Sequence, residues 1–436
     1  MEVAGSSEPR ERPHISAAGW RIVLLASLGG TLEFYDFVVF GIFAKDIADA
    51  IFPSPTPLIS LMVSFAAFAA GYLARPIGGI VLSHFGDRYG RRQVFLISIF
   101  VMSAATFGMG LVPSFAVWGA AASVLMVSLR LLQGFCLGGE LPGALTYVVE
   151  TEPRHAPFVC GVVFACVTMG VAAATGVSLA VRTWLPGAMV ASAGWRLAFI
   201  IGGLGGLLSF SLRRSLEESP EFARMKALAS RQPFREVLRT HLAPVAIGIG
   251  ALAATGGFNG LFFAHMAAYA SGVLGYNPRA AIISQTTGVI VHALGILGVG
   301  ALADRVTPRV LLRAGAVALM VLAFPFYSAL AARTVSPTLL MILAGLCAAF
   351  VNGTFAVILT NLFPTRIRFS GVALVFNVAF TLFSGTAPLI ATSLIRSTGM
   401  VTAPAIVMVA CGLLTIAASL ALSRDAGHVL AARRAP

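Results

Sequence analysis

The chain has 436 residues, of which 58% are hydrophobic and 11% are charged, and its formal net charge is +13. Soluble domains have about 45–50% apolar and about 25% charged residues, so this composition excludes a water-soluble globular protein. Apolar stretches cover nearly the whole length without alternating with polar residues, which excludes an enzyme on one anchor helix and an outer-membrane barrel. The composition predicts an all-α membrane protein.

Apolar segments of spanning length follow one another along the chain. The first set lies at 19–43, 57–85, 93–112, 117–147, 158–182 and 194–212, and the second at 242–273, 279–302, 310–332, 337–362, 369–395 and 400–422. A polar connector at 213–241 separates the two sets, and residues 1–18 and 423–436 form polar tails. The pattern predicts twelve transmembrane helices in two six-helix bundles, 19–212 and 242–422.

The basic residues are concentrated on one side of the predicted membrane. Of the 30 Lys and Arg residues, 21 fall in the two tails, the connector and the loops on the same side, and six fall on the other side. This asymmetry follows the positive-inside rule, which places both termini in the cytoplasm. The positive-inside rule therefore explains the positive net charge, and no nucleic-acid partner is expected. The polar first 16 residues lack an apolar core, so no signal peptide is expected.

The two halves contain similar segments at equivalent positions. The segment SHFGDRYGRR (83–92) closes the second predicted span, and GALADRVTPR (300–309) closes the eighth. Asp87 and Asp304 are 217 residues apart, close to half the chain length. Internal repeats with a substrate site at their interface are the architecture of secondary transporters. The two bundles are therefore predicted to be pseudo-symmetric.

Ionisable residues within the predicted spans are few. Each costs about 2.5–3.5 kcal/mol at the centre of a bilayer, so such residues mark functional sites. The first half carries the acids and arginines, and the second half carries histidines and neutral polar residues. The first set comprises Glu33, Asp36, Arg75, His84, Arg130 and Glu140, and the second comprises Asn259, His265, Gln285, His292, Asn352, Asn361, Asn377 and Thr381.

Helical spacing places several of these residues on shared faces. Glu33 and Asp36 are three residues apart, about 60° around one helix. Arg130, Gln133 and Glu140 fall within an arc of roughly 80°. Two interpretations stay open: buried pairs between the two acids and the two arginines only hold the bundle together, or the acids carry protons across the membrane. The histidines are interpreted as hydrogen-bonded packing residues.

Several motifs are similar to those of one known family. GDRYGRR at 86–92 resembles the loop signature between helices 2 and 3 of the major facilitator superfamily, and Arg130 in RLLQGFCLGGE resembles the arginine of its helix 4 signature. Further segments resemble its metabolite:proton symporter branch, namely GTLEFYDF (30–37), ARPIGGIVLSHFGDRYGRR (74–92), ETEPR (150–154), EESPEF (217–222) and LFPTRIRFSG (362–371). The chain departs from the branch at Phe34, which is usually Trp, and at Thr307-Pro308, where the second signature copy usually turns at glycine.

The resemblance implies the major facilitator fold and a role for each candidate residue. Asp87, Arg88, Gly90, Arg91 and Arg92 would form a cytoplasmic gate between the bundles, with Asp304 and Arg305 as its second copy. A solvated positive-inside loop would explain these arginines but neither Asp87 nor Gly90. Glu33 and Asp36 would carry protons. The candidate substrate-binding residues are Arg75, Arg130, Gln133, Glu140, Asn259, Asn352 and Asn377.

The branch imports organic carboxylates or zwitterionic osmolytes with protons. We therefore expect a secondary active transporter that imports a small organic acid by alternating access, because two arginines at cavity depth suit a carboxylate. A proline/betaine-type zwitterion symporter and a drug or metabolite:proton antiporter that exports remain alternatives. The chain has no HExxH, GxSxG or nucleotide-binding loop, so a membrane enzyme is not expected.

Partners and location follow from the same interpretation. The expected partners are a small-molecule substrate (an organic anion), protons and the lipid bilayer, and the protein is expected to be a monomer. It is expected to lie in the cell membrane, in a bacterial inner membrane. No cofactor is expected beyond the proton as coupling ion, and the five cysteines lack ligand spacing, so no metal site is predicted.

Overall fold

The computed structural model describes residues 15, 17–89, 91–213 and 233–422, which form helices and turns with no β-strand among them. We number the long helical segments α1 to α12. The first six are α1 (Ala17–Ile42, continued after a bend by Ala44–Ile51), α2 (Pro57–Tyr89), α3 (Arg91–Leu111), α4 (Ala120–Cys136 and Glu140–Thr151), α5 (Ala156–Trp184) and α6 (Trp195–Arg213, preceded by the π-helical turn Val190–Gly194).

The second six are α7 (Leu242–Ala251, Ala253–Phe258, the π-helical Asn259–His265 and Met266–Gly272), α8 (Pro278–Ala303), α9 (Pro308–Ala332), α10 (Pro337–Asn352 and Phe355–Asn361), α11 (Arg368–Ala379, the π-helical Phe380–Gly385 and Ala387–Thr398) and α12 (Pro404–Ala421). Short helices lie between some of these segments, at Phe115–Trp118, Pro153–His155, Gly187–Met189 and Pro233–Thr240.

The helices have the length and composition of membrane spans. Ten described segments are long and apolar enough to cross a bilayer, and the bent pair Ser27–Ile42 and Ala44–Ile51, whose two parts meet at 60°, provides an eleventh. The remaining segment, α3, contains the shorter apolar helix Leu96–Leu111. The prediction of an all-α membrane protein is confirmed, and the twelve segments follow the predicted order.

Local sequence signals set where several helices begin and end. Helices α8, α9, α10 and α12 begin with proline, which has no N–H to leave unpaired and a φ that suits the first turn. The side chain of Asn277 accepts hydrogen bonds from the backbone N–H groups of Arg279 and Ala280, which caps α8. Gly399, with a φ of 71°, follows α11 in the left-handed conformation that glycine adopts without strain.

Glycines allow helices α2 and α4 to approach closely. A Cβ added to Gly134 would overlap the backbone of Gly71, and one added to Gly138 would overlap the backbone of Gly79. Both glycines therefore face α2 with small-xxx-small spacing, although Gly138 lies in the break of α4 at 137–139. The carbonyl oxygen of Arg75 also packs against Gly138, so this close contact fixes α2 beside α4 at the depth of the buried charges.

The two halves of the chain meet along an interface where α1 packs on α7, α2 on α11, and α5 on α8. On α5 and α8 the backbones meet at two glycines, because a Cβ on Gly161 would lie 3.2 Å from the Cα of Gly300. Between α2 and α11, Thr381 Oγ1 donates to the carbonyl oxygen of Tyr72 at 2.8 Å. An interface of this kind is where transporters built from repeats place their substrate site.

Four helices are interrupted where the apolar pattern predicts continuous spans. Helix α4 breaks at 137–139 and α10 at 353–354, while α7 and α11 contain π-helical segments. These interruptions are buried as deeply as the helices around them, so the hydropathy pattern does not reveal them. The predicted bundle and tail boundaries remain predictions, because 1–14, 214–232 and 423–436, with the motif EESPEF, lie outside the described residues.

We expect Gly134→Val to disrupt the contact between α2 and α4, because the backbone of Gly71 leaves no room for a side chain. Overpacking of this kind costs about 1–3 kcal/mol, so the variant should show a lower thermal midpoint in detergent and a lower level in membranes. Gly139→Ala is the matched control, since no atom lies within 4 Å of the Cβ position there. Equal thermal stability of the two variants would contradict this packing.

Candidate functional site

A buried ion pair joins α1 and α2. Arg75 Nη2 donates to Glu33 Oε1 at 2.8 Å, and each side chain is 1% exposed. The guanidinium carbon lies 5.3 Å from the centre of the Tyr72 ring and 5.9 Å from that of Phe376 on α11. Aromatic faces attract cations, so these rings offset part of the desolvation of Arg75. Because Phe376 belongs to the second half, the ion pair lies beside the interface between the halves.

The second acid of α1, Asp36, belongs to a separate network with α3, α4 and α6. Its Oδ2 lies 3.4 Å from Thr106 Oγ1, which accepts a hydrogen bond from Gln133 Nε2 at 2.7 Å. The carboxylate packs against Gly202 of α6, where a side chain would collide with it. Asp36 Oδ1 has no hydrogen-bond partner among the described residues. The acid is therefore buried with one oxygen atom unsatisfied.

Arg130 of α4 is fully buried and lies against α1. Its guanidinium donates to Gln133 Oε1 and, at 2.9 Å, to the carbonyl oxygen of Phe37. The guanidinium carbon lies 3.9 Å from the centre of the Phe37 ring and 4.6 Å from that of Phe40. These contacts hold α4 on α1 and connect Arg130 through Gln133 to the network of Asp36. Direct binding of substrate by Arg130 and Gln133 stays a prediction.

Glu140 is separated from this network by the break in α4. The break at 137–139 lies between Glu140 and Arg130, so regular helical spacing does not place the two side chains on one face. Glu140 is half-buried and opens the second part of α4, where an acid is stabilised by the helix dipole. Its predicted role in substrate binding stays a prediction.

Neutral polar residues of the second half form a cluster between α7, α8 and α10. Asn352 Nδ2 lies 3.0 Å from Asn259 Oδ1 and 2.8 Å from His292 Nε2. His292 Nδ1 lies 2.7 Å from the carbonyl oxygen of Gly345. The structure thus brings Asn259 and Asn352 together and adds His292, which the sequence placed only among the packing residues. The distance of 60 residues between His292 and Asn352 explains why helical spacing could not reveal this contact.

Asn377 of α11 bonds across the interface to α4. Its Nδ2 donates to the carbonyl oxygen of Gly138 at 2.5 Å. In a regular helix this carbonyl would accept from the N–H of residue 142, but Pro142 has none to donate. The break in α4 therefore creates an acceptor that the second half satisfies, and Asn377 contacts backbone in this conformation.

The predicted gate residues fall into two groups. The side chains of Asp87, Arg88, Arg91 and Arg92, and all of Gly90, lie outside the described residues, so their role stays a prediction. Asp304 ends α8, and its Oδ2 lies 3.8 Å from His155 Nδ1 at the start of α5, where the two halves meet. Arg305, the next residue, is exposed.

An ion pair that the sequence did not predict joins the halves at the same end of the molecule. Arg368 Nη1 donates to Glu150 Oε1 at 2.8 Å, and both side chains are 16% exposed. Glu150 lies in the last turn of α4, and Arg368 begins α11. The two residues stand in the motifs ETEPR and LFPTRIRFSG, which are the only sequence signal that points to them. Both lie outside the predicted spans, so a search for charges within spans misses them.

Comparison with known proteins gives a consistent result. The family model described as Major Facilitator Superfamily matches residues 26–388. The citrate-proton symporter of Klebsiella pneumoniae is 33% identical over 421 residues, which cover 94% of this chain and 94% of that protein. The proline/betaine transporter of Escherichia coli (strain K12) is 30% identical over 419 residues, which cover 91% of this chain and 82% of that protein.

Solved structures show the same fold. The proton:xylose symporter XylE bound to 6-bromo-6-deoxy-D-glucose superposes with a TM-score of 0.75 at 15% identity, covering 96% of this chain and 100% of that chain. The partially occluded inward-open structure of the xylose transporter XylE from E. coli gives a TM-score of 0.73 at 17% identity, covering 93% and 97%. At these identities the likeness shows the fold alone.

The pair Glu150–Arg368 gives a test of the contact between the halves. Glu150→Arg and Arg368→Glu each place two like charges together at a partly buried site, and the double variant restores opposite charges. We expect backbone hydrogen exchange in 149–156 and 300–306 to rise about tenfold in each single variant and to return towards the original rate in the double variant.

Asp46→Asn is the control for this experiment, because it breaks an ion pair with Arg182 that lies within the first half. It should leave exchange in these two segments unchanged. Unchanged exchange in both single reversals would show that the Glu150–Arg368 pair does not hold the halves together.

Proposed function

Because the chain belongs to the Major Facilitator Superfamily, we propose that it is a secondary active transporter that imports a small organic acid together with protons by alternating access. The relatives named above are a citrate-proton symporter and a proline/betaine transporter. Citrate, proline and betaine all carry a carboxylate, which supports a carboxylate-bearing substrate here. The relatives are transporters, which supports a role other than that of an enzyme.

The observation that carries the proposal is the Glu33–Arg75 ion pair beside the interface. While Glu33 is ionised, its carboxylate occupies the guanidinium of Arg75. Protonation of Glu33 removes that negative charge, and Arg75 then binds the carboxylate of the substrate, to which it can donate two parallel hydrogen bonds. A proton and a substrate carboxylate therefore enter the site together, which is the basis of symport.

Asp36 is the second proposed proton carrier. Its Oδ1 atom is buried without a hydrogen-bond partner among the described residues, so protonation there breaks no hydrogen bond. The network through Thr106 and Gln133 connects this acid to Arg130, whose positive charge suits the ionised form. Ionisable residues in a membrane that can hold either charge state are the usual elements of a proton pathway.

Alternating access requires contacts that close one end of the site at a time. We propose that the two halves rock about a central site that contains the Glu33–Arg75 pair. At the predicted cytoplasmic end, the Glu150–Arg368 pair and the contact between His155 and Asp304 join the halves. Asp87, Gly90 and the arginines beside them are proposed to belong to the same gate. Separation of these contacts would open the site to the cytoplasm.

The chain is a membrane protein, and we propose a bacterial inner membrane with both termini in the cytoplasm, because most basic residues lie on that side. Exposed apolar side chains on α9, such as Val317 and Val321, suit contact with lipid. The proposed partners are the substrate, protons and lipid, and the proposed state is a monomer. The proton is proposed as the only coupling ion, with no resident cofactor.

A zwitterion of the proline or betaine type is a second candidate, and the pairing of Arg75 favours it. Glu33 already neutralises Arg75, so this pair offers a substrate one positive and one negative group. A zwitterion matches both, with its carboxylate on Arg75 and its ammonium on Glu33 beside the rings of Tyr72 and Phe376. An organic anion instead requires Glu33 to be protonated first.

Uptake into proteoliposomes tests the proposal. We would supply labelled citrate, 2-oxoglutarate, shikimate, proline and betaine, each with and without an inward proton gradient. The expected result is gradient-driven accumulation of one organic acid. Accumulation of proline or betaine alone would favour the second candidate, and no accumulation of any solute with the gradient intact would reject import of these classes.

The variant Glu33→Gln separates the two candidates. For an organic anion, a neutral Gln leaves Arg75 permanently available, so exchange of substrate across the membrane should persist while gradient-driven accumulation falls to background. For a zwitterion, the variant removes the partner of the ammonium, so exchange itself should fall by about tenfold or more. Counterflow and gradient-driven uptake in the same proteoliposomes measure both quantities.

Asp46→Asn serves as the matched control for Glu33→Gln, because it also removes the carboxylate of an ion pair within the first half. It is expected to leave exchange and accumulation intact. Normal gradient-driven accumulation by Glu33→Gln would reject Glu33 as a proton carrier.

A further inference from the structure

The polar cluster of the second half is a hydrogen-bonded chain that starts at a backbone carbonyl. The carbonyl oxygen of Gly345 can only accept, so His292 Nδ1, 2.7 Å away, carries the proton. In the neutral ring His292 Nε2 is then an acceptor, and Asn352 Nδ2 donates to it at 2.8 Å. The same nitrogen donates to Asn259 Oδ1 at 3.0 Å. One carbonyl therefore sets the orientation of both amides.

The chain ends in two buried polar atoms. Two facing amides can exchange two hydrogen bonds, but Asn259 and Asn352 form only one. Asn259 Nδ2, a donor, and Asn352 Oδ1, an acceptor, have no partner among the described residues, although these residues are only 3% and 1% exposed. A buried polar group without a partner costs about 1–3 kcal/mol, so such a pair points to a ligand group that completes it.

Both asparagines stand where their helices depart from regular geometry. Asn259 begins the π-helical segment of α7, and Asn352 is the last residue of α10 before its break. Single π-helical turns are frequent at functional sites, and discontinuous helices form the substrate sites of many transporters. The π-helical segment that begins with Asn259 also packs on α1 of the first half, and Asn352 is hydrogen-bonded to Asn259.

We propose that Asn259 and Asn352 bind a hydroxyl group of the substrate and that His292 is the positioning residue that orients them. The inference rests on the proposed transport function and names the feature by which the second half selects a substrate. A hydroxyl accepts from Asn259 Nδ2 and donates to Asn352 Oδ1, so one group satisfies both atoms.

A carboxylate does not fit this pair of atoms. It can accept from Asn259 Nδ2, but it has no hydrogen to donate and would bring negative charge against Asn352 Oδ1. The carboxylate of the substrate therefore belongs at Arg75, and its hydroxyl belongs at α7 and α10. An analogue without the hydroxyl leaves both atoms unpaired, and we expect its kcat/KM to be at least about tenfold lower.

Three pairs of solutes that differ by one hydroxyl provide the test: citrate with tricarballylate, malate with succinate, and carnitine with γ-butyrobetaine. In proteoliposomes with a proton gradient, we expect the hydroxylated member of at least one pair to be transported. Its kcat/KM should be at least about tenfold higher than that of its partner without the hydroxyl. In Asn259→Leu and Asn352→Leu, which keep the side-chain size but remove the amide, the preference should fall towards one.

His292→Phe tests the positioning role, because it keeps a ring and removes both hydrogen bonds. We expect KM for the hydroxylated solute to rise while KM for its partner stays the same, whereas a general loss of structure would change both. Thr415→Val is the matched control. It removes the hydroxyl that donates to the carbonyl oxygen of Gly250 and accepts from the N–H of Ala254 in α7, contacts that involve neither asparagine, and it should keep the preference.

The outcomes separate this inference from the proposed function. Transport of both members of a pair with equal kcat/KM, or a preference that survives in Asn259→Leu, overturns the hydroxyl site and leaves the transport function in place. Absence of transport for the six solutes of these pairs and for the four other solutes tested above rejects import of these classes, and the inference with it.

Discussion

The structure depends on the requirement that a charge inside a bilayer has a partner. Glu33 and Arg75 neutralise each other, and Arg130 is held by the carbonyl oxygen of Phe37, by Gln133 and by aromatic rings. Because breaking a buried pair costs about 3–5 kcal/mol, each partnership also fixes the helices that carry it. The ion pair ties α1 to α2, and Arg130 ties α4 to α1. In the proposed cycle, the first half therefore changes its charge state when a proton or a substrate replaces one of these partners.

The second half meets the equivalent requirement for its backbone. The π-helical segment of α7 frees carbonyl oxygens from regular helical bonding, and Gln285 Nε2 donates to those of Phe262 and Phe263 at 2.7 and 3.1 Å. Asn377 does the same for Gly138 at the break in α4. No water is present in a bilayer core to satisfy such groups, so irregular backbone survives only where side chains reach it. Neutral polar residues of the second half thus satisfy irregular backbone in α7 of their own half and in α4 of the first half.

Hydropathy and charge predicted the helical spans, their order and the small set of charged residues within them. This was possible because the free energy of placing a side chain in the bilayer depends mainly on the type of that residue. The sequence also indicated that two acids and two arginines could form buried ion pairs. Helical spacing could not determine that Glu33 pairs with Arg75. That choice depends on how α1 and α2 cross. The Glu150–Arg368 pair and the link between His292 and Asn352 join residues 218 and 60 positions apart, and the interruptions of α4 and α10 leave the apolar pattern intact. Contacts of this kind arise from the tertiary arrangement alone.

In the proposed cycle, the pairing of Arg75 limits uncoupled transport, which is the movement of a proton without substrate or of substrate without a proton. If Glu33 takes up a proton without substrate, Arg75 is left buried without its carboxylate, which is a strongly unfavourable state. If an anionic substrate arrives while Glu33 is ionised, two carboxylates compete for one guanidinium. The state with a proton but no substrate and the state with an anionic substrate but no proton are therefore both unfavourable, because each leaves Arg75 with the wrong number of carboxylates. Arg75 keeps a carboxylate partner in two states of this cycle, the empty site with ionised Glu33 and the protonated site that holds a substrate carboxylate. A substrate that also reaches the asparagines contacts both halves at once.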